Sequence, residues 1–121
     1  MPHPGRPRRV LFVCRLNRSR SASAERLFCK RPDLDVRSAG THGDAMVRVN
    51  QRMLDWAEVV FTMDDDQRRW LDLSFPGHPA VSRLICLDIP DIYQFLEPAL
   101  VTLLEERVAP HLNPDPGTPR L

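Results

Sequence analysis

Val10-Leu11-Phe12-Val13-Cys14-Arg15-Leu16-Asn17-Arg18-Ser19-Arg20-Ser21 is the stretch on which the reading of this chain turns. Val10 to Val13 is a short apolar run with β-branched ends, suited to a strand buried on both faces of a parallel sheet. A cysteine leaves that strand, five residues intervene, and Arg20-Ser21 opens a segment that reads as a helix over 21–30, with Ala22, Ala24, Leu27 and Phe28 inward. Strand, loop and helix in that order predict a loop whose backbone amides converge at a helix N-terminus.

Downstream the alternation continues. Asp35 to Ser38 is a weaker strand, Val47 to Trp56 has apolar residues at roughly helical spacing, and Val59 to Met63 is a second clear strand. Asp64 with Gln67 makes a capping-box start for a helix through Leu73. Leu84 to Leu87 is the last strand. Pro98 suits a helix first turn, and Leu100, Val101, Leu103, Leu104 and Val108 give that helix an apolar face. Strands alternating with helices predict an α/β domain: a four-stranded parallel sheet, helices on both faces, and a ligand loop between the first strand and first helix.

Composition bounds the rest. The chain has 121 residues, 42% hydrophobic and 27% charged, which suits one domain. We expect that domain over 8–112, between disordered proline-bearing tails at 1–7 and 113–121, with Arg6, Arg8 and Arg9 solvated. No apolar run is long enough to span a membrane, and the first residues lack a secretory apolar core. The net charge of +1 gives no global field for nucleic acid, and no basic stripe with interleaved aromatics is present. Cys14, Cys29 and Cys86 form no CxxC pair, which argues against a disulfide framework or a zinc site and suits a reducing cytoplasm. The expected cofactor and metal content is none. Oligomeric state is not readable.

Each part of the 14–21 loop has a chemical use. Amides from Arg15, Leu16, Asn17, Arg18, Ser19 and Arg20 can cradle an anion at the helix start. A cysteine beneath them feels the same dipoles, which favour the thiolate. The Arg20 fork can grip two phosphate oxygens. Ser21 can donate a hydroxyl to the sulfur. A thiolate, a cradle and an arginine clamp together make a phosphoryl-transfer site. The C-x5-R-[ST] spacing arises by chance about 0.03 times in a chain of this composition.

The run Val-Leu-Phe-Val-Cys14-x-x-Asn17-x-x-Arg20-Ser21-x-x-Ala24-Glu25 resembles the signature of the low-molecular-weight protein tyrosine phosphatases. Ser38-Ala39-Gly40-Thr41, Val60-Phe61-Thr62-Met63-Asp64 and Asp88-Ile89-Pro90-Asp91-Ile92-Tyr93 resemble later segments of that family, in family order. The resemblance implies that Cys14 attacks phosphorus, that an aspartate protonates the leaving oxygen, and that water hydrolyses the phosphocysteine. Aligning the Asp-Ile-Pro-Asp segment selects Asp91 as the acid; counting from the strand selects Asp88. The resemblance also gives Asn17 the role of stabilising a strained loop conformation, which asparagine tolerates well. Ser38 and Thr41 are candidates for the same hydrogen-bond net, and Tyr93 for an aromatic wall. His42 reads as a bystander.

Three departures from the family pattern matter. Leu16 stands where glycine is usual, and Arg18 where a small or apolar residue is. The 43–50 stretch is short and lacks an entrance loop and helix. Ile92 replaces a proline, and the chain then moves quickly into its last helix. The expected function is therefore hydrolysis of a phosphomonoester of phosphotyrosine type, on a phosphorylated protein or a small phosphomonoester. The alternatives are a non-catalytic phosphate-binding regulatory module, and an arsenate reductase on the same fold. The thioredoxin-coupled reductase route needs two further cysteines in a mobile segment, and only Cys29 and Cys86 remain.

Overall fold

The computed structural model describes residues 6–112, so the two expected tails lie outside the described residues except for Arg6 and Pro7. Nine elements follow in the order β1 (Arg8–Cys14), α1 (Arg20–Phe28), β2 (Leu34–Gly40), α2 (Gln51–Trp56), β3 (Val59–Thr62), α3 (Asp65–Ser74), α4 (Pro79–Ser82), β4 (Ile85–Cys86) and α5 (Pro98–Leu112). The four strands form one parallel sheet in the order β2-β1-β3-β4. The expected fold class is the observed one.

Side chains on β1 alternate between faces, as a pleated strand requires. Val10, Phe12 and Cys14 join Val59 and Phe61 of β3 under α1 and α5, where Ala24, Phe28, Leu100, Leu104 and Val108 are buried. Leu11 and Val13 join Val60 on the opposite face, under Leu54 of α2, Leu71 of α3 and Ala80 and Val81 of α4. Phe12 stacks on Phe61 at 5.2 Å and on Phe28 at 5.8 Å, tying the sheet to α1. Cys14 therefore leaves the sheet on the α1 side, toward the start of that helix.

Several sequence expectations shift. The helix expected over 47–56 begins only at Gln51, because Asn50 caps it by accepting from the Met53 N–H at 2.9 Å. Val47 to Val49 instead extend along the end of β2: Gly40 N–H donates to Val47 O at 2.8 Å, and Val49 N–H to Gly40 O at 2.9 Å. Helix α1 starts one residue early and stops at Phe28, and Ala22 and Leu27 are only half-buried while Ser21 and Ser23 are buried. Strand β2 is longer than read and β4 shorter, and α4 was not anticipated. Arg6, Arg8 and Arg9 are not a solvated tail. Arg9 anchors through Nε to Trp56 O at 2.6 Å, Arg8 to His111 O at 3.0 Å, and Arg6 pairs with Glu58 at 3.2 Å. Among the described residues, no helix is long and apolar enough to cross a membrane.

Candidate active site

The loop after β1 is built around the Cys14 sulfur. Asn17 adopts φ of 57°, a left-handed conformation that turns its backbone N–H back to Cys14 Sγ at 3.2 Å. Its side-chain amide donates one hydrogen to Ser21 Oγ at 2.9 Å and one to Ser38 Oγ at 2.8 Å. Ser38 donates its own hydroxyl hydrogen bond to Glu25 Oε1. Because Asn17 fills an acceptor site on Ser21, the Ser21 proton is left to donate. Its nearer acceptor is Cys14 Sγ at 2.8 Å, against Ala39 O at 3.3 Å. The network therefore diverges from the Asn17 amide, one arm running through Ser38 to Glu25 and the other through Ser21 to the sulfur. Thr41 contributes its backbone, donating N–H to Cys14 O at 3.0 Å.

Gly40 closes the loop from beneath. A Cβ there would lie 2.6 Å from Arg15 O and 2.7 Å from Ala45 Cβ, so only glycine lets β2 approach the loop this closely.

Arg20, the first residue of α1, is 1% exposed. A buried guanidinium needs partners, and two are fixed: Nη1 donates to Asp64 Oδ2 and to Ile89 O, each at 2.7 Å. Nε is buried without a hydrogen-bond partner, and lies 3.6 Å from Asp91 Oδ1. Asp64 does double duty. It caps α3 through the Asp66 N–H at 2.9 Å, and it anchors Arg20. Burial pushes its carboxyl up, but hydrogen bonds from Arg20, Gln67 and the Asp66 N–H, with the Arg20 charge, outweigh this and hold it below the usual carboxylate range. Sequence reading found the cap but not the anchor; the signal was the position of Asp64 just beyond β3, beside the end of β1.

A cavity of about 100 Å³ lies above the sulfur, lined by Cys14, Leu16, Arg18, Ser19, Arg20 and Asp91. It opens beside a groove of about 600 Å³, which shares Arg20 and Asp91 and adds Arg15, Arg48, His42, Asp66 and Trp70 among others. The two candidate acids separate here. Asp91 lines both cavities. Asp88 lines neither: it takes φ of 54° in the turn after β4, where its carbonyl accepts from Arg107 and its carboxylate from the Cys86 thiol at 3.5 Å.

Tyr93 is also placed otherwise than expected. Its ring packs against the α1–α5 core, its carbonyl accepts from Ser19 Oγ at 2.5 Å, and the aromatic side chain in the groove is Trp70 of α3. Cys29 sits at the far end of α1, and Cys86 lies on β4, two strands from β1. Neither stands in the loop cluster around Cys14. Among the described residues, no three His, Cys, Asp or Glu side chains gather as metal ligands.

Neither a family model nor a curated protein matches the chain. Solved structures do. The tyrosine phosphatase Wzb from Escherichia coli K30, in complex with phosphate, superposes with a TM-score of 0.70 at 19% identity, covering 87% of this chain and 98% of that one. The low-molecular-weight protein tyrosine phosphatase from Campylobacter jejuni gives 0.68 at 16% identity, covering 89% and 97%. The fold is that of the low-molecular-weight phosphatases. The YwlE arginine phosphatase from Geobacillus stearothermophilus shares it, with a TM-score of 0.66 at 23% identity over 88% and 93% of the two chains. This phosphatase fold thus accommodates proteins described as acting on two different phosphorylated residues.

Proposed function

We propose that the chain is a cysteine-dependent phosphomonoester hydrolase of phosphotyrosine type, working through a phosphocysteine. The observation that carries this is the 100 Å³ cavity floored by Cys14. Into it lead an arginine already anchored on two sides with its buried Nε unpartnered, and a carboxylate on a separate loop.

The chemistry follows from these positions. The phosphoryl group sits over Cys14, its oxygens held by loop amides and the Arg20 fork. The Cys14 sulfur attacks phosphorus as the ester oxygen departs, and Asp91 gives that oxygen its proton. Water then attacks the phosphocysteine, Asp91 takes the proton, and the sulfur leaves as thiolate, met by the Ser21 hydroxyl. We assign Asp88 a structural role in the turn, and Asn17 and Ser38 the task of orienting Ser21.

Phosphotyrosine is favoured over phosphoarginine by charge. Arg18 lines the small cavity, is exposed, and makes no ion pair among the described residues. A guanidinium leaving group would depart past this cation, whereas a phenolic oxygen carries negative charge as its bond breaks. The three free thiols fit our assignment to a reducing cytoplasm.

The test is hydrolysis of para-nitrophenyl phosphate by the wild type and Cys14→Ser, followed by a screen of phosphotyrosine, phosphoserine and phosphoarginine substrates. Activity that Cys14→Ser abolishes and that ranks phosphotyrosine first supports the reading. Phosphate binding with no turnover would make the chain a binding module instead.

A further inference from the structure

We propose that the groove beside the phosphate pocket seats a carboxylate flanking the phosphorylated residue of a polypeptide substrate, with Arg15 and Arg48 as its partners. This deepens the phosphatase reading and rests on it.

The charge pattern in the groove is lopsided once partners are counted. Its three carboxylates are engaged: Asp64 and Asp91 face Arg20, at 2.7 and 3.6 Å, and Asp66 pairs with Arg69 at 2.9 Å. Arg15 and Arg48 make neither an ion pair nor a side-chain hydrogen bond among the described residues. Arg20 offsets only one of the two carboxylates that face it, so the groove carries an excess of one positive charge, held on two guanidinium groups with no partner of their own, and that excess selects for negative charge.

Arg48 is also placed rather than loose. Its backbone bridges to Gly40, and its guanidinium lies 5.6 Å from the Trp70 ring centroid, within cation–π range. Arg15 is held at its carbonyl by the His42 N–H at 3.0 Å. Arg48, placed over Trp70, loses less side-chain freedom on pairing with a carboxylate.

The exposed apolar side chains around the loop point to a polypeptide. Met46, whose N–H bonds the Leu16 carbonyl at 3.1 Å, is 71% exposed, and Ile92, next to Asp91, is 73% exposed. A small phosphomonoester would leave both uncovered, while a chain crossing the loop can cover them.

The experiment compares phosphotyrosine peptides identical except for glutamate, glutamine or lysine at the residues flanking phosphotyrosine. The expected kcat/KM ratio of glutamate to glutamine peptide is roughly five- to tenfold at low salt, the scale of two partly exposed ion pairs. It should fall toward one at high salt. Arg15→Gln and Arg48→Gln should each reduce that ratio, Arg48→Lys should keep part of it, and Arg48→Glu should turn the preference toward the lysine peptide. A wild-type ratio of one, or a preference that survives both glutamine substitutions, overturns the proposal. Turnover of para-nitrophenyl phosphate by the wild type reports separately on the phosphatase reading. Should that be absent, anisotropy titrations with the same labelled peptides still decide the groove: loss of the glutamate preference in Arg48→Gln supports it, and equal binding of all three peptides sinks it.

Discussion

Arg20 and Asp64 are joined at 2.7 Å across the carboxyl edge of the sheet, the first from the start of α1 and the second from the N-cap of α3, just beyond β3. The pairing fixes one arm of the guanidinium, and Arg20 also lines the cavity above Cys14.

Replacing Arg20 by lysine should therefore be nearly as damaging as replacing it by alanine. Lysine keeps the charge but cannot serve Asp64, Ile89 O and a phosphoryl oxygen from one planar group. Steady-state hydrolysis of para-nitrophenyl phosphate checks this; a lysine variant retaining most of the activity would remove the clamp role.

The Asp64 pairing also predicts a pH dependence. Its folded-state pKa lies below the usual 3.8, so the carboxylate form is favoured by folding. The stabilisation is complete above the unfolded value and is lost as pH falls through the lower folded value. The urea midpoints of wild type and Asp64→Asn should differ near neutrality and converge in acid, once pH has fallen below the lowered folded value. A gap that instead widened toward acid would reverse the assignment.

Asp91→Asn should slow phosphocysteine formation most for poor leaving groups, by about 10²–10⁴-fold, and least for nitrophenolate. Burst kinetics are required, since phosphoenzyme hydrolysis otherwise hides the first step. Asp88→Asn should leave the leaving-group dependence unchanged. The opposite result would exchange the two roles.

Gly40→Ala should lower both stability and activity, because the new methyl meets backbone at Arg15 and a fixed side chain at Ala45. Overpacking of this kind costs about 1–3 kcal/mol. A thermal melt unchanged from wild type would show that the loop yields more easily than its packing implies.

Asn17→Ala should strip the hydrogen-bond chain of its link and strain a left-handed residue, costing roughly 1–2 kcal/mol. The Ser21 hydroxyl would then lose its orientation. Iodoacetate labelling of Cys14, with and without vanadate, reports the effect on the sulfur; identical labelling rates in variant and wild type would argue that Asn17 does not act through Ser21.

The legible part of this protein was local. Val10 to Ser21 carries its strand, loop and helix in adjacent residues, and the Asp64–Gln67 capping box is likewise short-range. What could not be read depends on neighbours distant in sequence. Asp64 became an anchor because β3 lies beside β1, and Glu25 became the end of a chain because Ser38 of β2 stands across from α1. Trp70 rather than Tyr93 lines the groove because α3 lies beside it while Tyr93 packs on the α1–α5 core, a placement that residue type does not encode. At Val47 to Asn50, apolar spacing suggested a helix, but Val47 and Val49 found strand-like partners at Gly40 and Asn50 set a later start.

The segment carrying Asp91 is bound to the cradle by Arg20 to Ile89 O, Ser19 to Tyr93 O and the Leu96 N–H to Ser23 Oγ. Strand β4 supplies only two residues of sheet before it. Three hydrogen bonds thus tie the segment carrying Asp91 to the start of α1, where the loop of Cys14 also ends. The side chains of Arg15, Arg18, Arg48 and Ile92 make none of these three bonds, so on the proposed mechanism the spacing of Cys14 and Asp91 is set by residues other than those that would choose the substrate.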